Sequence, residues 1–306
     1  MKIGIFAPSS ACNPERHGAA LRQACDLGHQ VLEGHSATVN YGKKTFLFSS
    51  DSIEHRIAAL EKLLADPEVK LLFAARGGYG ALELLPLLAA IKQSLGTTSV
   101  KTQKFISGIS DFSVLLLALD GVEGLSLVHG PGFLDAFLDY DSDQSRKKST
   151  DNLFEMVSGS WAGYPNLSLN PVKNLAVATE RFSGNVTGGN LSVLASLVGT
   201  GFLPNFDQRI LFLEETGEKP YRVHRALTQL KFAGLLDNLA GVILGDFRQC
   251  SHVNDLGPDI EDVLENIFST FKYPVFKGFP GGHQQLNLPL PFGVPLVVSK
   301  SGILPG

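Results

Sequence analysis

In Phe105-Ile-Ser-Gly-Ile-Ser-Asp-Phe-Ser113 an apolar run enters Gly108-Ile109-Ser110-Asp111, and a leucine-rich helical pattern follows at once. A strand-to-helix turn of this kind makes Ser110 stand proud of a sheet edge. It also leaves the backbone N–H of Asp111 at a helix start, where peptide dipoles favour negative charge. An exposed hydroxyl, adjacent donors and a base supplied from elsewhere are what a nucleophilic serine needs. Gly108 leaves room for the tight backbone. Phe112 departs from the G-x-S-x-G elbow, so the α/β-hydrolase fold is not implied. A serine that merely caps a helix after a strand gives the same local sequence.

Four further loops lie at expected strand ends or helix starts, where open α/β sheets bind ligands. Arg76-Gly77-Gly78-Tyr79-Gly80 follows an apolar run. Its glycines permit positive φ and close backbone approach. The N–H groups of Gly77 or Gly78 could meet an oxyanion and Arg76 a carboxylate; a glycine-rich turn with Arg76 in a surface ion pair is the alternative. The G-K-[ST] ending of a P-loop and the G-x-G-x-x-G dinucleotide turn are both missing. In Leu213-Glu214-Glu215-Thr216-Gly217-Glu218, a glutamate ending a strand can orient an imidazole. Three carboxylates so close also describe a solvated turn. In Gly278-Phe-Pro-Gly-Gly-His283, the histidine follows a glycine-rich turn from which its ring could swing into a cleft, and an imidazole suits a general base at neutral pH. A surface histidine fits that loop equally well. Thr187-Gly-Gly-Asn-Leu191 opens a helix that Asn190 can cap. His17, His29, His35, His55, His224 and His252 read as surface or helix positions, and His129 as a residue behind the site. The eight histidines are too scattered for a metal signature. Spacing alone does not assemble Ser110, Glu214 and His283.

The elements that must position these residues are legible as alternation. Strand patterns at Lys2–Ala7, His29–Leu32, Val69–Ala75, Lys104–Ser107 and Leu125–Val128 alternate with helical ones. The helices fall at Pro14–Leu27, from Ser50 or Ser52 through Leu64, at Gly80–Ile91 and at Phe112–Leu119. This order predicts a parallel sheet covered on both faces. Asp139 to Asp151 is polar and reads as an exposed loop, and Trp161 to about Ala178 as the domain connection. Beyond it, helices are expected at Leu191–Leu197, from Pro220 to Gly234 and at Asp259–Phe271. Strands are expected at Ile210–Leu213, Ala240–Leu244, Leu286–Leu290 and Val294–Val298. A chain of 306 residues is long enough for two cores.

Lys and Arg number 26 against 30 Asp and Glu, a net −4, which predicts no general affinity for nucleic acid or anionic membrane. The apolar run before Pro8 is too short for a signal-peptide core, and none approaches the roughly 20 residues that cross a bilayer. Cys12, Cys25 and Cys250 lack metal-type spacing and read as buried free thiols, with a reducing cytoplasm the simplest setting.

Taken in order, Ala7-Pro8-Ser9, Arg76-Gly-Gly-Tyr-Gly80, Gly108-Ile-Ser-Asp-Phe112, His129-Gly-Pro131, Gly188-Gly-Asn-Leu191, Leu213-Glu-Glu215, Pro220-Tyr-Arg-Val-His-Arg225, Leu244-Gly245 and Gly282-His283 resemble the LD-carboxypeptidase (muramoyltetrapeptide carboxypeptidase) family, whose relatives include microcin C immunity peptidases. Glu215 and His224 depart from that family's usual residues outside its triad. The resemblance implies a Ser110–His283–Glu214 triad. It also implies an N-terminal doubly wound, mainly parallel α/β domain (1–160) carrying the serine, a linker (161–184) and a C-terminal β/α domain (185–306) carrying glutamate and histidine. A site at the domain junction of a cytoplasmic homodimer would follow, needing neither metal nor organic cofactor. Asp111, Gly77 and Gly78 would form the oxyanion hole, and Arg76, Tyr79 and Arg222 would bind substrate. The implied substrate is a murein tetrapeptide, cut to release terminal D-alanine during peptidoglycan recycling. The nearer alternative is an immunity-type peptidase cleaving an aminoacyl-nucleotide amide, for which the chain is short and its one tryptophan, Trp161, ill placed. A non-catalytic module binding peptidoglycan fragments is the more distant one.

Overall fold

The structure, a computed structural model, describes residues 1–38, 47–97, 103–172, 181–251 and 257–306. The chain divides into two compact units, Met1–Trp161 with Gln285–Pro291, and Ala162–Gln284 with Phe292–Gly306. The return of Gln285–Pro291 to the first unit has no counterpart in the sequence reading.

The first unit runs β1 (Lys2–Phe6), α1 (Pro14–Asp26), β2 (Gln30–Glu33), α2 (Ile53–Ala65), β3 (Val69–Ala74), α3 (Leu85–Thr97), β4 (Lys104–Gly108), α4 (Ser113–Ala118), β5 (Leu125–His129), α5 (Phe133–Phe137) and α6 (Gln144–Ser158). Among the described residues its sheet has the order β11-β5-β4-β3-β1-β2, with β11 (Leu290–Phe292) from the returning segment. The pairs from β5 to β2 are all parallel. This is a doubly wound α/β fold. Ile3, Ile5, Leu71, Leu72 and Phe73 are fully buried, as strands covered on both faces require. Ser52 caps α2 by accepting from the His55 N–H, and the expected stripe Ile57, Leu60, Leu63 and Leu64 is buried. Because the chain leaves β1 toward β2 and then crosses to β3, the strand order reverses at β1. The loops after β1 and β3 therefore flank a topological switch point, where such sheets leave a crevice.

One expectation fails here. The polar run Asp139–Asp151 is not an exposed loop throughout, because Asp143 accepts from the Ser145 and Arg146 N–H groups and starts α6. The inward face of that helix is Ser149, Thr150, Leu153 and Met156, and its first two members are polar, which hid the helical period.

The second unit contains β6 (Asn170–Pro171), β7 (Arg181–Asn190), α7 (Leu191–Ser196), β8 (Ile210–Thr216), α8 (Pro220–Phe232), β9 (Gly241–Arg248), α9 (Ile260–Phe268), β10 (Val275–Lys277), β12 (Pro295–Ser299) and β13 (Gly302–Pro305). Its sheet order is β13-β12-β7-β8-β9-β10-β6, parallel from β7 to β10 and antiparallel at both edges. β7 is not among the expected strands, because three of its ten residues are glycine, a poor strand former. Residues 173–180 of the expected connection, and His252, lie outside the described residues. No described helix is long and apolar enough to cross a membrane.

Candidate active site

Ser110 follows β4 by two residues and opens a short 3-10 turn that runs on into α4. Its φ is +67°, a left-handed conformation that costs a non-glycine residue on the order of 1–2 kcal/mol. Such strain persists only where the surroundings enforce it. Gly108 is required because a Cβ there would lie 2.5 Å from the Phe112 ring, which folds back beneath the turn. The Asp111 side chain is buried, and its carboxylate accepts from the Ala81 N–H at 2.8 Å. Burial pushes the Asp111 carboxyl up from its usual range.

That bond ties the serine turn to the Arg76–Gly80 turn after β3. A Cβ on Gly77 would come within 2.8 Å of the Ser110 Cβ, so only glycine allows this approach. Gly78 and Gly80 have φ of +125° and +117°. Ser10 accepts from the Tyr79 N–H at 3.1 Å and donates to the Phe48 carbonyl at 2.8 Å. Beneath these loops lies Arg56, 1% exposed. Its Nη1 donates to the Pro8 carbonyl at 2.7 Å and the Gly80 carbonyl at 2.8 Å, and its Nη2 to the Glu83 carboxylate at 2.5 Å. Arg76 and Tyr79 are exposed beside them, and Arg76 forms no ion pair with a described residue.

In the second unit Glu214 lies toward the end of the buried run of β8 and is 0% exposed. Its Oε2 meets His283 Nδ1 at 2.7 Å, across 69 residues of sequence. An imidazole that donates through Nδ1 presents Nε2 as its acceptor. Gly282 has φ +136°, and a Cβ there would lie 3.2 Å from Glu214 Oε2. Glu215 is buried too: it accepts from the Asn190 side chain and from the N–H and hydroxyl of Ser192, anchoring the start of α7. The solvated turn admitted for Leu213–Glu218 is therefore excluded at Glu214 and Glu215. Arg222 lies on α8, exposed and paired with Glu218 at 3.3 Å. Among the described residues no cluster of three or more His, Cys, Asp or Glu could hold a metal.

Other expectations need adjustment. His17 is on α1 but buried, 2.6 Å from Glu33 and near the Phe133 ring. Cys12 and Cys250 are buried as expected, whereas Cys25 is exposed. His129 is buried at the end of β5. The sequence reading did not single out Ser10, Arg56, Asp246, Arg248 or Gln284. For Arg56 the only available signal was a charge on the stripe side of α2, which ordinarily means a solvated edge.

The chain matches the LD-carboxypeptidase N-terminal domain over residues 3–130 and the LD-carboxypeptidase C-terminal domain over residues 183–298. It is 32% identical over 293 residues to a Bacillus subtilis protein named "Probable murein peptide carboxypeptidase", covering 95% of this chain and 86% of that one. Identity is 29% over 309 residues to the murein tetrapeptide carboxypeptidase of Pseudomonas aeruginosa, covering 100% and 93%. The microcin C7 self-immunity protein of Escherichia coli is 27% identical over 320 residues, covering 97% and 90%. Among solved structures, the muramoyltetrapeptide carboxypeptidase of Oxalobacter formigenes superposes with a TM-score of 0.77 at 26% identity, covering 99% of this chain and 97% of that one. With both domains matched in order along one chain, this protein belongs to the LD-carboxypeptidase family.

Proposed function

We propose that this carboxypeptidase is a serine enzyme that releases terminal D-alanine from murein tetrapeptides, with Ser110 as nucleophile, His283 as general base and Glu214 as its orienting carboxylate. The observation that carries the reading is the 2.7 Å contact between a fully buried carboxylate and a loop imidazole in the second unit; the left-handed conformation of Ser110 in the first supports it. His283 Nε2 takes the Ser110 proton as the hydroxyl oxygen attacks the carbonyl of the L,D-peptide bond. The N–H groups of Gly77, Gly78 and Asp111 stabilise the oxyanion, each contributing on the order of 10²–10³ in rate when well aimed. His283 then protonates the departing amine of D-alanine, and the same imidazole activates the water that hydrolyses the acyl-enzyme. Arg76, with Tyr79 and Arg222, receives the terminal carboxylate and the adjoining peptide.

The family reading extends to a homodimer acting in the cytoplasm, which sedimentation and cell fractionation test. The decisive experiment offers the purified protein a murein tetrapeptide and an aminoacyl-nucleotide amide side by side. D-alanine release from the first, lost in Ser110→Ala, is the expected result. Turnover of the second alone would overturn the substrate class, and undiminished release by Ser110→Ala would overturn the nucleophile.

A further inference from the structure

His283 sits on a turn that should be loose. Two consecutive glycines, Gly281 and Gly282, precede it, and glycine gives up the most backbone freedom on being fixed. An imidazole that must take a proton from a hydroxyl and hand it to a departing amine needs its ring held to a fraction of an ångström. The Glu214 contact fixes one ring nitrogen but not the backbone that carries the ring.

The end of β9 does the rest. The Asp246 N–H donates to the Gly281 carbonyl at 2.9 Å. The Gln284 side-chain amide donates to Asp246 Oδ1 at 2.7 Å, and Arg248 Nη1 donates to the His283 carbonyl at 2.7 Å. Gly245 makes this closeness feasible, since a Cβ there would stand 2.3 Å from the Gly281 oxygen. Three contacts from two side chains and one amide thus hold residues 281, 283 and 284. Gly282 is packed between Asp246 and the dyad, because a Cβ there would meet both the Asp246 Cβ, at 3.0 Å, and Glu214 Oε2, at 3.2 Å. The second oxygen of Asp246, Oδ2, is buried without a hydrogen-bond partner among the described residues.

A buried carboxylate oxygen without a hydrogen bond is costly, and the charge it carries acts strongly on its neighbours away from water. We propose that Asp246 is a positioning residue for the base: it fixes the turn that carries His283 and adds a second negative charge beside the Glu214–His283 pair. This rests on the carboxypeptidase reading above. Among the described residues, the charged groups near His283 within its unit include Glu214 of β8, and Asp246 and Arg248 of β9. Burial holds the Asp246 carboxyl above its usual range, Glu214 pushes it the same way, and Gln284, Arg248 and His283 oppose the rise. By reciprocity, ionised Asp246 favours the imidazolium form of His283. Removing the charge makes His283 harder to protonate, so the enzyme keeps its neutral base to lower pH.

The test is the pH profile of kcat/KM for D-alanine release, with an NMR titration of the His283 ring run in parallel. Asp246→Asn keeps the shape and Oδ1 contact but loses the charge. It should lower kcat roughly tenfold, leave KM within about twofold and move the acid limb down by about one pH unit. Asp246→Glu should restore the limb, while Arg248→Gln, which loosens the turn but leaves the carboxylate, should lower kcat without moving the limb downward. An unmoved limb and an unmoved ring titration in Asp246→Asn would overturn the inference, as would a rise in KM with kcat intact, which would place Asp246 on the substrate. Should the wild-type protein release no D-alanine, the carboxypeptidase reading fails, and the ring titration still decides the role of Asp246.

Discussion

Each unit carries its members of the proposed triad near the carboxyl ends of its parallel strands, and the two hold them by opposite means. In the first, the device is the backbone. Ser110 occupies a left-handed conformation, Gly77 admits it at a distance no Cβ would allow, and a buried arginine grips the carbonyls of two neighbouring loops. In the second, the device is charge kept from water. A carboxylate with no exposure holds an imidazole, and a second carboxylate stands beside the pair. A nucleophile must be aimed, which is a matter of torsion angles, whereas a base must be tuned, which is a matter of desolvation and neighbouring charge. The contrast predicts that mutations in the first unit will separate stability from activity, while those in the second will act mainly on proton transfer.

The largest effect tests both halves of that statement in one residue. Ser110→Gly should reduce D-alanine release at least about 10⁴-fold and at the same time stabilise the first unit by roughly 1 kcal/mol, measured by urea denaturation, because glycine accepts positive φ without strain. A destabilised Ser110→Gly would mean the turn holds no strain. Next, Glu214→Gln should cut kcat by about 10³–10⁴ through the wrong imidazole tautomer, with KM nearly unchanged. A small effect there would remove the dyad from the chemistry. Gly77→Ala, whose Cβ would stand 2.8 Å from the Ser110 Cβ, should cost about tenfold to a hundredfold in kcat and, as the turn shifts, about 1–3 kcal/mol of stability in urea.

Arg56→Met should destabilise the first unit by about 2–3 kcal/mol, since two buried carbonyls lose their donor. The buried thiols resolve which unit bears that cost. Burial pushes Cys12, in the first unit, to about 12 and Cys250, in the second, to about 11, so both react only on opening. In a Cys25→Ser background, Arg56→Met should speed alkylation of Cys12 in moderate urea and leave Cys250 nearly untouched. Equal acceleration at both would show that the units open together.

Much of the first unit was readable because its helices advertise themselves. Pro14 and Ser52 mark helix starts, and the α2 stripe keeps its period. α6 was lost because its first inward residues are Ser149 and Thr150, and hydrophobic periodicity cannot register a face that begins polar. At the site, Ser110, Gly77 and Gly78 could be picked out locally, since turn geometry leaves a signature within five residues. Glu214 and His283 could not be paired that way. Their meeting depends on two parallel strands and a turn brought together over 69 residues, and only the likeness to a known family joined them beforehand. Asp246 left no signature and Arg56 only a charge beside the apolar stripe of α2, because a buried charge and a solvated one are spelled alike.

The brief return of Gln285–Pro291 has a practical corollary. It supplies an edge strand, β11, to the sheet whose other strands were all made before residue 130, and it leaves for that sheet immediately after His283 and Gln284. A gene truncated after Trp161 would therefore encode a first unit with the flank of β5 uncovered, an open template for unwanted strand pairing. Anyone wishing to produce the halves separately would do better to graft the seven-residue ribbon back onto the shorter piece, or to rearrange the termini, than to cut once and hope for two clean parts.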